Sequence, residues 1–374
     1  MKPKVSFIVP CYNLAHLLTE CVDSILAQTY RDFEILIMDD ASPDNTADVA
    51  RSFQDPRVKH IRNNPNLGHL RNYNKGIELA QGDYIWLISA DDRLRKPYAL
   101  NRYVDALEKY PAVGYAFCPG IGLESNVETD VLEWTANGPK DFVRGGRVFL
   151  EHLVRSNRVL APSGLVRREC YSKAGVFPLD LPYSGDWYLW CLFALYFDVA
   201  YFAEPMVNYR LHPISMTNLL TKKEKVKNDV AVRWRINKLA KAEGHQGVSR
   251  NCLDSLAMHY SYCLLADRYK LEDYSLTIAQ YEESLRQNAE NQHEIRTIRS
   301  RVNASVGDGC YLRGDFAAAT ESYKAALHER FWAPAVWAKY CLMNMGAAGS
   351  SIRRIVSGNG RRAISYDPKA RIRT

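Results

Sequence analysis

The sequence predicts an α/β fold, a mostly parallel sheet with helices on both faces, followed by an all-α region. Two observations carry the prediction. Through residues 5–92, short apolar runs alternate with stretches of helical periodicity, which is the pattern of βαβ units. From about residue 220 the strand signals stop, Lys and Glu become frequent and helical stripes dominate. A third observation locates the chemistry. Three of the apolar runs end in polar clusters, and in open α/β sheets ligands bind outside the carboxyl ends of the strands.

Residues 5–9, Val-Ser-Phe-Ile-Val, form the first predicted strand, stopped by Pro10. Asn13 suits a helix N-cap. Leu14, Leu17, Leu18, Cys21, Val22, Ile25 and Leu26 then recur at helical spacing. Residues 33–38 are the second strand, ending at Asp39-Asp40, with turn chemistry at 41–45 and a short helix to about Phe53. Residues 58–61 are a third, shorter strand, and Leu67, Leu70, Tyr73, Ile77 and Ala80 mark the next helix. The run Tyr84-Ile-Trp-Leu-Ile-Ser-Ala-Asp91-Asp92 follows. It reads as a strand buried on both faces that stops at two adjacent carboxylates. Right-handed crossovers place the ends of strands one, two and four on one rim. Pro10-Cys-Tyr-Asn13, Asp39-Asp40 and Asp91-Asp92 are therefore expected to converge. Adjacent carboxylates repel unless a cation joins them, and a hard divalent metal carrying a phosphate ligand is the usual solution. The plain alternative is that Asp92 caps the next helix. No G-x-G-x-x-G follows the first strand, so the dinucleotide fingerprint is missing.

A helix is predicted over 97–110 and a strand over 113–118. Polar irregular sequence spans 120–146, and another strand is predicted over 161–166. In Tyr183-Ser-Gly-Asp-Trp-Tyr-Leu-Trp190 a single acid, Asp186, opens an apolar helix. It is either a carboxylate favoured by the helix dipole or a general base. Tyr209-Arg-Leu-His212 closes this half, and the His212 imidazole suits either a metal shell or a diphosphate.

The chain has 374 residues, long enough for two or three domains, and the divisions expected are 1–219, 220–350 and 351–374. Apolar content of 47% and charged content of 24% are ordinary for a globular protein. A net charge of +7, concentrated toward the C-terminus, does not make the molecule a nucleic-acid binder. Nine cysteines without a C-x-x-C pair fit reduced, buried thiols and a cytoplasmic location. No signal peptide is evident. The most apolar stretch, 188–197, falls short of the roughly 20 residues a bilayer requires.

Val5-Ser-Phe-Ile-Val-Pro-Cys-Tyr-Asn13, Ile37-Met-Asp-Asp-Ala-Ser42, Asn66-Leu-Gly68 with Arg71 and Asn74-Lys-Gly76, and Ser89-Ala-Asp-Asp92 occur in order and at fitting spacing. Together they resemble the family 2 glycosyltransferases, over roughly residues 3–218. The resemblance implies the GT-A nucleotide-sugar fold and an inverting transfer from a nucleoside-diphosphate sugar, UDP-linked by preference, to a glycan or lipid-linked acceptor in surface polysaccharide synthesis. It implies a nucleotide-sugar site of Pro10, Tyr12, Asn13, Asp39, Asp40, Arg71 and Asp91. Tyr12 would stack on the base, Asp40 with Asp39 beside it would meet the nucleoside, and Arg71 would meet the nucleotide. The rival readings are a rim aromatic for Tyr12 and a solvated helix charge for Arg71. Asp92 and His212 are the expected ligands of Mn2+ or Mg2+, and Asp186 is the expected base. The usual Asp-x-Asp reads Ser89-Ala-Asp-Asp here, so its first carboxylate is a serine. Processive synthases resemble the same domain but carry Gln-x-x-Arg-Trp, where this chain has Val230 before Arg233-Trp234. A non-enzymatic helical adaptor is the other alternative.

In the C-terminal third, Tyr269, Asp273, Tyr274, Tyr281 and Leu285 recur at one offset as Tyr311, Asp315, Phe316, Tyr323 and Leu327. The second copy, with Pro334, resembles a tetratricopeptide unit, which suggests a degenerate helical repeat serving oligomerisation or acceptor binding; the plain alternative is a helical bundle. Residues 351–374 are basic, with Arg353, Arg354, Arg361, Arg362, Lys369, Arg371 and Arg373 against Asp367. Such a tail is suited to peripheral contact with the anionic inner face of a membrane, or is simply solvated.

Overall fold

The computed structural model describes residues 2–212, 216–271 and 276–345. The basic tail at 351–374 and Asp273 and Tyr274 of the first repeat copy lie outside the described residues. The chain divides into two compact units, Met1–Leu219 and Leu220–Thr374.

The first unit runs β1 (Val5–Cys11), α1 (Ala15–Leu26), β2 (Phe33–Asp39), α2 (Thr46–Ser52), β3 (Val58–Arg62), α3 (His69–Leu79), β4 (Tyr84–Leu87), β5 (Arg93–Leu94), α4 (Ala99–Lys109), β6 (Val113–Phe117), β7 (Gly120–Glu124), β8 (Val127–Val131), β9 (Phe142–Arg144), α5 (Gly146–Leu153), β10 (Leu165–Arg167), α6 (Arg168–Ala174), α7 (Gly185–Tyr196), β11 (Asp198–Tyr201), β12 (Val207–Arg210) and α8 (Met216–Leu219). An eight-stranded sheet has the order β3-β2-β1-β4-β10-β6-β11-β9, and a four-stranded sheet the order β5-β12-β7-β8. β3, β2, β1 and β4 are mutually parallel. β10 enters antiparallel between β4 and β6, so the parallel half gives way to a mixed one.

Every residue of β1 and β2 is buried, as an unbroken apolar run covered on both faces requires. α1 lays Leu18, Cys21, Val22 and Ile25 on the sheet, the residues its 3.6 period brings to one face. Beneath β4 the Phe7 and Trp86 rings stack 5.5 Å apart, and Trp86 Nε1 donates to the Pro162 carbonyl at 2.8 Å. A buried indole N–H needs such a partner.

Four local expectations are corrected. β1 does not stop before Pro10 but runs to Cys11, and the Pro10 carbonyl accepts from Ala90 N at 3.1 Å. Asn13 does not cap α1. It sits at φ +57°, the N-cap is Leu14, and Asp44 Oδ2 accepts from Ala15 N at 3.0 Å instead. Residues 161–163 form a 3-10 turn in place of a strand, tied by Ser163 N and Oγ to the Leu160 carbonyl, and the strand is Leu165–Arg167. The stretch 120–146 is not irregular: β7, β8 and β9 lie in it. β8 is exposed almost throughout, so its sequence carries no apolar alternation to betray a strand.

The second unit is all helical among the described residues: α9 (Lys222–Ala242), α10 (Gln246–Arg268), α11 (Ile278–Asn288), α12 (Gln292–Leu312), α13 (Phe316–Glu329) and α14 (Pro334–Asn344). Capping boxes open α9 at Thr221/Glu224 and α11 at Thr277/Gln280. Gly244 (φ +73°) and Gly314 (φ +79°) turn α9 into α10 and α12 into α13, a backbone region that side chains with a Cβ disfavour. Tyr281 and Tyr323 hold matching buried places in α11 and α13, as do Leu285 and Leu327. No helix among the described residues is long and apolar enough to cross a membrane. All nine cysteines are free, and every one except Cys341 is buried.

Candidate functional site

The ends of β1, β2 and β4 meet on one rim because their backbones are joined there. Asp40 N donates to the Cys11 carbonyl at 2.9 Å, while Ala90 N donates to Pro10. Tyr12 stands at this junction, 53% exposed, with a free ring face for an aromatic ligand.

The two acids that end β2 are both committed within the chain. Asp39 Oδ1 accepts from Ser42 N at 2.8 Å, and Oδ2 from Arg62 Nη1 at 2.5 Å with His60 Nε2 at 3.2 Å. Burial pushes this carboxyl up, but the bonds from Ser42, Arg62 and His60 win and hold it below the usual range. Asp40 organises the loop before α3. Its Oδ1 accepts from Leu67 N and Asn63 Nδ2, both at 2.8 Å, and its Oδ2 from Gly68 N at 2.9 Å. The Asn66-Leu-Gly68 signature is thus the other half of the Asp40 contact. Arg71, one turn into α3, is exposed and has no ion-pair partner among the described residues.

The acids that end β4 have different fates. Asp92 is 4% exposed, and its Oδ1 accepts from the Arg210 backbone N at 3.0 Å. Burial and the charge of Asp91 push Asp92 well above the usual carboxylate range, against the pull of the Arg210 hydrogen bond and charge. Asp91 has a different partner. Its Oδ2 lies 2.8 Å from His212 Nε2, and its Oδ1 is buried with no hydrogen-bond partner. A buried carboxylate oxygen left unmatched costs free energy unless a cation or water meets it. The Asp91 carboxylate therefore fits a divalent cation. Among the described residues no group of three or more His, Cys, Asp or Glu surrounds a common point. The protein offers an incomplete shell, the arrangement Mg2+-type sites complete with water and substrate phosphates.

Arg210 fixes this turn. Its Nε donates to the Asp91 carbonyl at 2.8 Å, Nη1 to Asn126 Oδ1 at 2.6 Å and Nη2 to Glu20 Oε2 at 2.6 Å. Arg93 bonds the other oxygen of Glu20. Nothing in the sequence pattern singled out Arg210 or Glu20. They are distant in sequence, and only the pairing of β12 with β5 and β7 brings them together.

Asp186 lies in the first turn of α7, half-buried, and its Oδ2 accepts from Asn157 Nδ2 at 3.1 Å. The loop leading to it is bolted to α3. Asn74 bonds both the N and the carbonyl of Phe177 at 2.9 Å, and His69 Nε2 lies 3.2 Å from the Pro182 carbonyl. Tyr73, between them on α3, ties the site together. Burial pushes its phenol up, and the charges of Asp91, Asp92 and Asp186 all bear on it, with Ser89 as its hydrogen-bond partner. Sequence periodicity marks Tyr73 only as part of an apolar face; its hydroxyl is the part that matters. The acids that end β4 and open α7 thus share one neighbourhood.

The parallel half-sheet and the rim of acids define an α/β class that binds its ligand at strand ends. Comparison with known proteins makes this specific. Residues 6–149 match the model described as Glycosyl transferase family 2. An uncharacterized protein of Mycobacterium tuberculosis is 33% identical over 202 residues, 50% of this chain and 61% of its own length. An uncharacterized glycosyltransferase of Rickettsia typhi is 30% identical over 219 residues, 58% of this chain and 66% of its own length. The chain thus spans slightly less than two thirds of these curated relatives. Staphylococcus aureus TarS residues 1–349, solved in complex with UDP-GlcNAc, superposes with a TM-score of 0.56 at 15% identity, covering 86% of this chain and 90% of that one. That likeness concerns the fold alone. Residues 6–149 carry the match to the family 2 glycosyl transferase model, within a GT-A fold followed by helices.

Proposed function

We propose that the protein is a metal-dependent, inverting glycosyltransferase that moves a sugar from a nucleoside-diphosphate donor, UDP-linked, to a hydroxyl of a glycan or lipid-linked acceptor in surface polysaccharide synthesis. One observation carries the reading: the unmatched Asp91 Oδ1, on the same rim as Tyr12 and in the same neighbourhood as Asp186.

The roles differ in part from those the sequence suggests. Asp91, in place of Asp92, would hold the divalent cation, Mn2+ or Mg2+, whose charge stabilises the departing diphosphate. His212 orients Asp91 through Oδ2 and is not counted as a ligand. Asp92, tied to Arg210, sets the turn. Tyr12 stacks on the base and Arg71 meets the diphosphate. Asp39 and Asp40, with Pro10 and Asn13, shape the nucleoside end through the backbone contacts and the Asn66-Leu-Gly68 loop.

Asp186 accepts the proton of the acceptor hydroxyl. The oxygen attacks the anomeric carbon as the bond from that carbon to the diphosphate breaks on the opposite face. The new glycosidic bond therefore has inverted configuration, and the diphosphate takes the electron pair. Asn157 donates to Asp186 Oδ2 and helps to orient the carboxylate.

A panel of UDP-, GDP- and dTDP-sugars assayed for release of nucleoside diphosphate with Mn2+ tests the reading. Turnover of at least one donor, lost on adding EDTA and reduced by three orders of magnitude or more in Asp186→Asn, is the expected result. No turnover of any donor, or an unimpaired Asp186→Asn enzyme, overturns it.

A further inference from the structure

The helical unit carries a cavity of about 420 Å3 that the transfer reaction does not use. Three cations line it, Lys241 near the end of α9, Arg250 in the first turns of α10 and Arg301 on α12, and no carboxylate does. The remaining wall includes Gln246 and the turn glycine Gly244.

The acids near these cations leave donors over. Lys241 Nζ has three N–H groups. Glu294 Oε1 at 2.7 Å and Glu290 Oε2 at 3.2 Å take two of them. Glu294 also accepts from Asn237 and from Glu290 N. Arg301 Nη1 lies 3.1 Å from Asp254 Oδ1 but is not aligned for a hydrogen bond, and that buried nitrogen has no hydrogen-bond partner. Arg250 has no ion-pair partner among the described residues. Burial and the nearby charges of Arg330 and Arg250 outweigh Asp254 and make the Arg301 cation harder to keep. A hollow walled by unmatched N–H donors, with like charges facing one another, is completed by an anion.

We propose that this cavity binds a phosphate group, clamped by Arg250 and Arg301 with the third N–H of Lys241. Its volume exceeds that of one phosphate and leaves room for an attached glycerol or sugar. Two sources share this chemistry, free phosphate and the phosphoester of a glycan or glycerol. The site lies wholly in the helical unit, so it stands whether or not the transfer reading holds.

Isothermal titration of the full chain with inorganic phosphate at low ionic strength tests it. Saturable binding is expected, weakened at least tenfold in Arg250→Glu. That residue is exposed, so the variant should keep the wild-type helicity and the wild-type affinity for UDP. Arg301→Met gives a second arm and should weaken binding as much. Titration with glycerol 1-phosphate separates the sources. Binding at least tenfold tighter than that of inorganic phosphate identifies a phosphoester, and equal affinity identifies free phosphate. Absence of saturable binding, or unchanged affinity in folded Arg250→Glu, overturns the proposal.

Discussion

Asp91 and Asp92 are neighbours of the same chemistry, yet a backbone amide ties Asp92 while one oxygen of Asp91 is buried without a hydrogen-bond partner. The difference comes from Arg210, whose backbone N holds Asp92 across 118 positions of sequence, while its guanidinium holds the Asp91 carbonyl. The pair of acids at the end of an apolar run was legible in the sequence. Which of the two keeps an unmatched oxygen was not, because the contact that ties Asp92 comes from a strand in the other sheet. Two predictions belong at this scale. Arg210→Met takes a partner from Asn126 and from one oxygen of Glu20, while Arg93 stays on the other, and the lost hydrogen bonds should cost about 1–3 kcal/mol in urea unfolding. Asn157→Ala removes one hydrogen bond that orients Asp186. It should lower kcat about tenfold while KM for the donor stays within about twofold, because the contact is to the base and not to the nucleotide.

At the scale of elements, α3 does more than cover the sheet. Arg71, Tyr73, Asn74 and His69 all project from it, two of them toward the loop that carries Asp186. It lies close on β1 and β2 because Gly76 has no side chain: a Cβ there would stand 2.5 Å from Ile8 Cγ2 and 3.3 Å from Met38 Cγ. Gly76→Ala should therefore cost about 1–3 kcal/mol of stability and raise the donor KM, since lifting α3 displaces Arg71. The periodicity of α3 showed which face is buried, but not that its tyrosine hydroxyl and asparagine amides do the connecting. The unbroken apolar runs of β1, β2 and β4 and the helical stripe of α1 were legible from their pattern. β8 was missed for the opposite reason, being exposed on nearly every residue, and residues 161–163 were misread because an apolar run with a proline also suits a 3-10 turn.

Each unit has an apolar core of its own, with Phe7, Trp86 and Tyr103 buried together in the first and Trp234, Tyr260 and Tyr281 in the second. Because the first unit has its own core, a chain ended at Leu219 is expected to keep its near-ultraviolet dichroism and bind UDP. The helical unit should be acid-sensitive. His259 on α10 is pulled down to about 4 by burial and the charge of Arg233, against Asp229. Its unfolded value is about 6.5. Between those values the unfolded chain holds the proton and the folded chain does not, so stability is intact above about pH 6.5 and is lost as pH falls through about 4. Thermal unfolding of the helical unit followed from pH 7 to 4 should show this loss, and His259→Phe should flatten it.

The account rests on Asp91 as the residue that couples a cation to the nucleotide. Titrating UDP into the protein with and without Mn2+, for the natural chain and for Asp91→Asn, tests that coupling directly. Mn2+ should tighten UDP binding at least tenfold in the natural chain and by less than twofold in Asp91→Asn, with Asp92→Asn keeping most of the effect. Binding of UDP that ignores Mn2+, or that responds to it equally when Asp91 is replaced, would contradict the account.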